Sequence, residues 1–220
     1  MKKILKIICE TTLFKNIKEE DAEKLLNCLK ASYKSFSKND IIFLAGETAF
    51  ETGIIIEGSV QIVYEDILGN RNILGILKQG DLFGEAFSLS ETEKIPVSAV
   101  SAQNSKILFI NSQKILKSCS DCCEFHHILI ENTIRILALK NVMLNNKIRY
   151  LSMRSTREKL LSYLSDMAVI SESKVFYIPF DRQQLADFLC VDRSAMSYQL
   201  SILKKEGILD YKKNKFKLLK

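Results

Sequence analysis

Between Phe125 and Leu151 there is no proline or glycine, and apolar residues recur on a strict count of seven. Ile130, Leu137, Leu144 and Leu151 hold one position of the repeat, and Ile134, Asn141 and Ile148 hold the other. This spacing predicts one long helix with a coiled-coil seam, because two helices keep a common apolar line facing each other only when the pattern repeats every 3.5 residues. A polar Asn141 on the seam is the kind of residue that fixes register and strand number in a parallel pair. A helix lying only on its own domain has no need of strict sevens, so a homodimer joined along this seam is expected.

The chain on either side follows other periods. Ala22, Leu25, Leu26 and Leu29 lie at helical intervals behind an acidic first turn, so a short amphipathic helix is expected over residues 17–30. From about Ser35 to Ile110 come short apolar runs, IIFLAG, GIIIEGSVQIVYE, ILGILKQG, VSAVSA and KILFI, separated by Gly, Asn and charged residues. Ile54, Ile56, Val60, Ile62 and Tyr64 alternate with Glu57, Ser59, Gln61 and Glu65, which is strand periodicity. The stretch DILGNR makes a plausible hairpin loop, since Gly69 and Asn70 accept positive φ. So many short strands suggest an antiparallel barrel or sandwich, and the fold class expected is α+β: an N-terminal antiparallel β-barrel (jelly-roll), a long dimerisation helix and a C-terminal winged helix-turn-helix. The boundaries are placed at 1–120, 121–152 and 153–220, with a helix at 156–168 after a break near Ser152–Ser155.

The C-terminal third carries the charge. From Ser152 onward there are 13 Lys and Arg against 8 Asp and Glu, whereas residues 1–151 have 19 against 18. A local positive field of this kind favours a polyanion. Within this third, Asp181 can cap a helix whose third residue is Gln184, with Phe180 and Leu185 as a hydrophobic staple. Asp192 repeats the device with Val191 and Met196, so a second helix begins after a corner at Leu189–Val191. Met196, Leu200 and Leu203 share one side of it, with Ala195 small enough for a close crossing of the two helices. Arg193, Ser194, Ser197, Tyr198 and Ser201 face away. Such a face suits a major groove, where Arg reads guanine and Ser or Tyr serves bases or phosphates. Arg182, Gln183, Lys204, Lys205, Lys212, Lys213 and Lys215 are placed to neutralise phosphates, the last three from a hairpin wing. Double-stranded DNA is the partner expected.

The order of barrel, long helix and winged helix-turn-helix resembles the Crp/Fnr family of bacterial transcription regulators over nearly the whole chain. The stretches GDLFGEAFSLS at 80–90, PVSAVSA at 96–102 and FDRQQLADFLCVDRSAMSYQLSILKKEGIL at 180–209 carry the resemblance. It implies a cyclic-nucleotide-binding-like barrel, a homodimer on a two-fold symmetric operator, recognition positions at Arg193, Ser194, Ser197 and Tyr198, and RNA polymerase as a partner. Family members often have a basic residue where Tyr198 stands and glycine where Cys190 stands, so the family's common half-site does not carry over.

The resemblance also implies an effector pocket over Gly84, Glu85, Ala86, Val97, Ser98, Val142 and Met143. Gly84, Glu85 and Ser98 fit it. Val97 stands where nucleotide-binding relatives have arginine, and Val142 and Met143 are apolar where relatives use polar groups against the base. A buried phosphate without its cation leaves charge uncompensated, so cyclic AMP is not expected to bind in the usual manner. Another small-molecule effector, or none, stays open, and Gly84 and Glu85 can equally form a structural turn. In CSDCCEFHH, Cys119, Cys122, Cys123 and His126 offer weak candidates for a metal or redox sensor. No nucleophile elbow or phosphate loop is present, so no enzyme is expected. No apolar run approaches the length of a membrane span and the cysteines suit a reducing compartment, which predicts a cytoplasmic protein without membrane attachment.

Overall fold

The stretch KKILKIICE, with Ile4, Ile7 and Ile8 at helical intervals, forms a helix, an element additional to those expected from the periodicities. The computed structural model describes residues 2–48, 51–69, 71–90, 94–116 and 124–219. Its elements begin with α1 (Lys2–Glu10), a 3-10 turn (Thr12–Phe14) and α2 (Glu19–Cys28), and continue with strands β1 (Ser32–Phe36), β2 (Ile41–Phe43), β3 (Glu51–Glu57), β4 (Ser59–Glu65), β5 (Arg71–Lys78) and β6 (Leu82–Phe83). Next come α3 (Glu85–Leu89), β7 (Ser98–Ser101), β8 (Ser105–Asn111), α4 (Gln113–Leu116) and α5 (Glu124–Ser152). The remainder is α6 (Thr156–Ile170), β9 (Val175–Tyr177), α7 (Arg182–Leu189), α8 (Arg193–Lys205), β10 (Leu209–Lys212) and β11 (Lys215–Leu218). The chain divides into two compact units, Met1–Gly69 with Leu74–Asn141, and Asn70–Ile73 with Val142–Lys220. Among the described residues no helix is long and apolar enough to cross a membrane.

In the first unit two four-stranded sheets, in the orders β1-β8-β3-β6 and β2-β7-β4-β5, make the antiparallel β framework. The run Ile54–Ile56 is buried on both faces. Ile54 and Ile56 join a cluster with Phe14, Leu25, Leu29, Leu108 and Leu129, whereas Ile55 packs with Val60, Phe83, Ile107 and Phe109. Period-2 geometry sends neighbouring side chains to opposite sides, so one strand feeds two cores. The alternation expected of β4 fails at its end: Tyr64 is 44 % exposed while Val63 is buried, and Gln61 is buried too. Pairing with β7 covers only Val60–Val63, so Tyr64 stands past the last β7 partner. At Gly58 (φ 95°) an added Cβ would lie 2.6 Å from the Asn104 carbonyl oxygen, which bars any larger residue from this hairpin.

Helix α5 has a buried and a bare side. Leu129, Thr133 and Ile136 are buried, and Asn132 donates to the carbonyls of Leu13 and Lys15 at 3.0 and 2.8 Å, fastening the helix to the N-terminal segment. On the seam, Ile134, Leu144 and Ile148 are exposed at 60, 58 and 64 %, as is Asn141; Leu137 is 36 % exposed, and Ile130 and Leu151 are half-buried.

In the second unit the break after Ser152 lies where the sequence places it. Ser155 then caps α6 in a reciprocal bond pair with Glu158. The three-stranded sheet β10-β11-β9 and helices α6, α7 and α8 surround Leu160, Leu185, Met196, Leu200, Leu203 and Phe216, all buried. Lys147 of α5 is also buried here: its ammonium donates to the Ile73 carbonyl at 2.6 Å and sits 4.2 Å from the Phe188 ring centre. Burial lowers its pKa from the ordinary value to about 8, a nearby Cys190 thiol opposing the shift. The unfolded chain therefore holds this proton over a pH range in which the folded chain releases it, so stability rises with pH from about 8 toward the ordinary lysine value. Urea unfolding at pH 7.5 and 9.5 is expected to show the native chain gaining stability relative to Lys147→Met; parallel profiles for the two would contradict this.

Candidate nucleic-acid interface

Two caps define the helix pair. Asp181 accepts from the Gln184 amide at 2.9 Å, the Gln184 side chain accepts from the Asp181 amide at 2.9 Å, and so α7 starts where the sequence puts it. Asp192 accepts from the Ala195 amide at 2.8 Å and from the Ser194 hydroxyl at 2.5 Å. These bonds hold the Asp192 carboxyl below its usual pKa. Between the helices Cys190 adopts φ 51°, ψ 58°, a left-handed corner; a side chain with a Cβ costs about 1 kcal/mol there.

Helix α8 buries Met196, Leu200 and Leu203 completely and turns Arg193, Ser194, Tyr198 and Ser201 outward, with Ser197 half-buried. Ala195 is exposed, so the close crossing assigned to it is not made there; at 100° per residue it falls beside the Met196 stripe rather than on it. Two of the face's hydroxyls have local work, Ser194 on its cap and Ser201 donating to the Ser197 carbonyl at 3.0 Å. Among the described residues no side-chain hydrogen bond or ion pair engages Arg193 or Tyr198, and Tyr198 is 66 % exposed. Both side chains are therefore exposed and unengaged in the single chain.

The flanking cations differ in what they already hold. Arg182 lies over the rings of Tyr211 and Phe216, 4.6 and 5.1 Å from their centres, so it joins α7 to the wing as much as it offers charge outward. Burial lowers its pKa. Gln183 donates to Asp187 at 2.7 Å, and Lys204 pairs with Asp210 at 2.5 Å, which raises the lysine pKa. Lys205, Lys212, Lys213 and Lys215 are exposed, and the wing turn holds Lys213 at φ 55°. Local hydrogen bonding of this kind has no sequence signature beyond the acidic residue three to six positions away.

The effector-pocket residues fare differently. Gly84 takes φ 81°, and an added Cβ would come within 2.9 Å of Phe43 and 3.2 Å of the Glu51 carbonyl oxygen, so the turn requires glycine. Glu85 next to it is buried, and its carboxylate meets Lys140 of α5 at 2.7 Å rather than backbone amides. The same ammonium donates to the Leu82 carbonyl at 2.5 Å, and Glu85 Oε2 has no hydrogen-bond partner. Ala86 is exposed. Val97 packs with Ile95, Phe43, Ile62 and Phe87, and Ser98 Oγ accepts from the Ala45 amide at 3.0 Å. Val142 and Met143 are both exposed. Lys140 was missed by the sequence reading, though it stands on the helix side marked by Leu129, Thr133 and Ile136, where a cation needs a partner. Cys119, Cys122 and Cys123 lie outside the described residues. His126 is buried, Nε2 lying 3.1 Å from the Lys114 carbonyl oxygen and Nδ1 having no partner. Among the described residues no group of three or more His, Cys, Asp and Glu could hold a metal ion.

The architecture has counterparts among known proteins. Residues 33–122 match the model of the cyclic nucleotide-binding domain, and no curated protein sequence matches the chain. FixK2 from Bradyrhizobium japonicum is 19 % identical with a TM-score of 0.65, over 86 % of this chain and 93 % of its own. A CooA variant from Carboxydothermus hydrogenoformans is 18 % identical with a TM-score of 0.69, over 90 % of each chain. A transcriptional regulator of the CRP family from Thermus thermophilus is 21 % identical with a TM-score of 0.62, over 85 % of this chain and 92 % of its own. With its antiparallel sheets, long helix and C-terminal helix pair, the chain contains a cyclic nucleotide-binding domain and has the fold of the Crp/Fnr regulators.

Proposed function

We propose that the protein is a DNA-binding transcription regulator, not an enzyme, which acts in the cytoplasm as a homodimer on a two-fold symmetric operator and works through RNA polymerase. The observation that carries this reading is the face of α8: Arg193 and Tyr198 stand unengaged opposite the buried Met196–Leu200–Leu203 stripe, with exposed lysines on the wing beside them. A helix of this kind inserted in a major groove places its N-terminal residues against base edges, while the lysines meet phosphates. Pairing along the bare side of α5 supplies two such helices, about 34 Å apart on successive turns of one duplex.

The signal reaches the first unit. Cyclic AMP in the usual pose finds Val97 where its phosphate needs a cation, and Glu85 already holds Lys140. A small molecule that uses Glu85 has first to displace that ammonium. A selection from random duplexes tests the reading. Arg193→Ala is expected to lose about 1–3 kcal/mol of discrimination at one base pair of each half-site while remaining dimeric. Affinity of the native protein should fall steeply with salt as phosphate contacts release counterions. Cyclic AMP in the same titration should leave it unchanged. Identical sequence preference in Arg193→Ala, or salt-indifferent retention on DNA, would refute the assignment.

A further inference from the structure

The corner after α5 is the obvious place for the second unit to bend, since Met153–Ser155 are not helical. The side chains on either side of it are tied together. Tyr150 of α5 donates its hydroxyl to Asp166 Oδ2 of α6 at 2.5 Å, and Arg149 donates to the same oxygen. The Tyr150 ring stands edge-on to Tyr163 of α6, centres 5.7 Å apart at 85°, and 6.5 Å from Phe188 of α7. Phe188 in turn lies 5.4 Å from Tyr163 and stacks on Phe180 at 4.7 Å. One turn earlier the Lys147 ammonium lies over the same Phe188 ring, 4.2 Å from its centre. All of these residues lie in the second unit, which takes in the end of α5 from Val142. Packed aromatic groups joined by a charge-assisted hydrogen bond resist the sliding that a hinge needs. Burial and the Asp166 carboxylate push the Tyr150 pKa up to about 12, so the phenol keeps its donor throughout the neutral range.

We propose that Tyr150 and Asp166 are positioning residues that bind the last turns of α5 to α6 and α7, so that the end of α5 and α8 move as one body. In the dimer, rotation of α5 rather than bending at Met153–Ser155 then sets the separation of the two Arg193-bearing helices. The inference rests on the dimeric DNA-binding reading above. Its test compares the full-length native protein with Tyr150→Phe and Asp166→Asn on three kinds of duplex: the selected operator, the operator with its half-sites moved by one or two base pairs, and a single half-site. The variants should match the native protein on the single half-site, lose about tenfold on the operator, and lose less on the shifted sites, because a loosened pair gives up the advantage of a fixed span. Tyr150→Phe keeps the ring packing and so carries the test if Asp166→Asn fails to fold. Native discrimination between spacings in a folded variant would overturn the inference alone, as would an equal loss on the single half-site, which marks damage to α8 itself. If the native protein binds none of the three duplexes, the functional reading falls and the inference with it.

Discussion

Glutamate in place of both Leu144 and Ile148 is expected to yield a folded monomer that no longer holds the operator. Both side chains are more than half exposed in the single chain, whereas the opposite side of α5 is spent on Leu129, Thr133, Ile136 and Tyr150. Substitutions at exposed sites change chain stability by no more than about 0.5 kcal/mol, so each unit should unfold as before. In the proposed dimer the same two positions would meet their copies across a two-fold axis. Burying an aliphatic side chain there contributes about 1.5–3 kcal/mol, and the replacement removes that term four times while setting like charges against each other. Sedimentation equilibrium should show a monomer at concentrations where the native protein is paired. Operator affinity at fixed salt should drop by on the order of 10³-fold or more, toward that of one half-site. A variant that still sediments as a dimer with native affinity would place the contact between copies somewhere other than this seam.

Removing Lys140 should unsettle the first unit. Its ammonium meets a Glu85 carboxylate whose side chain is 3 % exposed and which has one oxygen without any partner. Lys140→Met leaves that charge buried and uncompensated, which costs about 3–5 kcal/mol where a pair is fully enclosed. The lysine itself is about a quarter exposed, so the lower end of that range is expected. Lys140→Met combined with Glu85→Leu removes both charges and should restore most of the loss, since apolar groups of similar size replace buried ion pairs at little cost. Denaturant unfolding of the three proteins forms a double-mutant cycle. A single Lys140→Met variant as stable as the native chain would show that water or another group already serves the carboxylate.

The parts legible from sequence were those set by neighbours along the chain. The seven-residue repeat of α5, the caps at Asp181 and Asp192, the corner at Cys190 and most of the strands follow from which side chains share a face and which backbone amides lack a partner. The repeat is enough to mark the bare side of α5 over its middle, because a seven-residue repeat drifts only about 20° per heptad around a straight helix, and its ends, Ile130 and Leu151, are half-buried. The same rule failed at Ala195, since one residue on a helix is already 100° away. Strands β1 and β6 escaped notice for another reason: SYKSF has few apolar residues and LF is only two residues long, and each is a strand because β8 or β3 pairs with it.

By itself, then, the sequence determined that there is an antiparallel β framework, a long seamed helix and a capped helix pair with Arg193 and Tyr198 on its outer face. Tertiary structure alone decided that Lys140 finds Glu85, that Arg182 lies on the wing rings, and that Tyr150 and Asp166 tie α5 to α6. The first set rests on periodicities and caps within a few residues, which local sterics and hydrogen bonding enforce. The second joins groups far apart in the chain, whose charge or ring has a partner only after the backbone has folded around it.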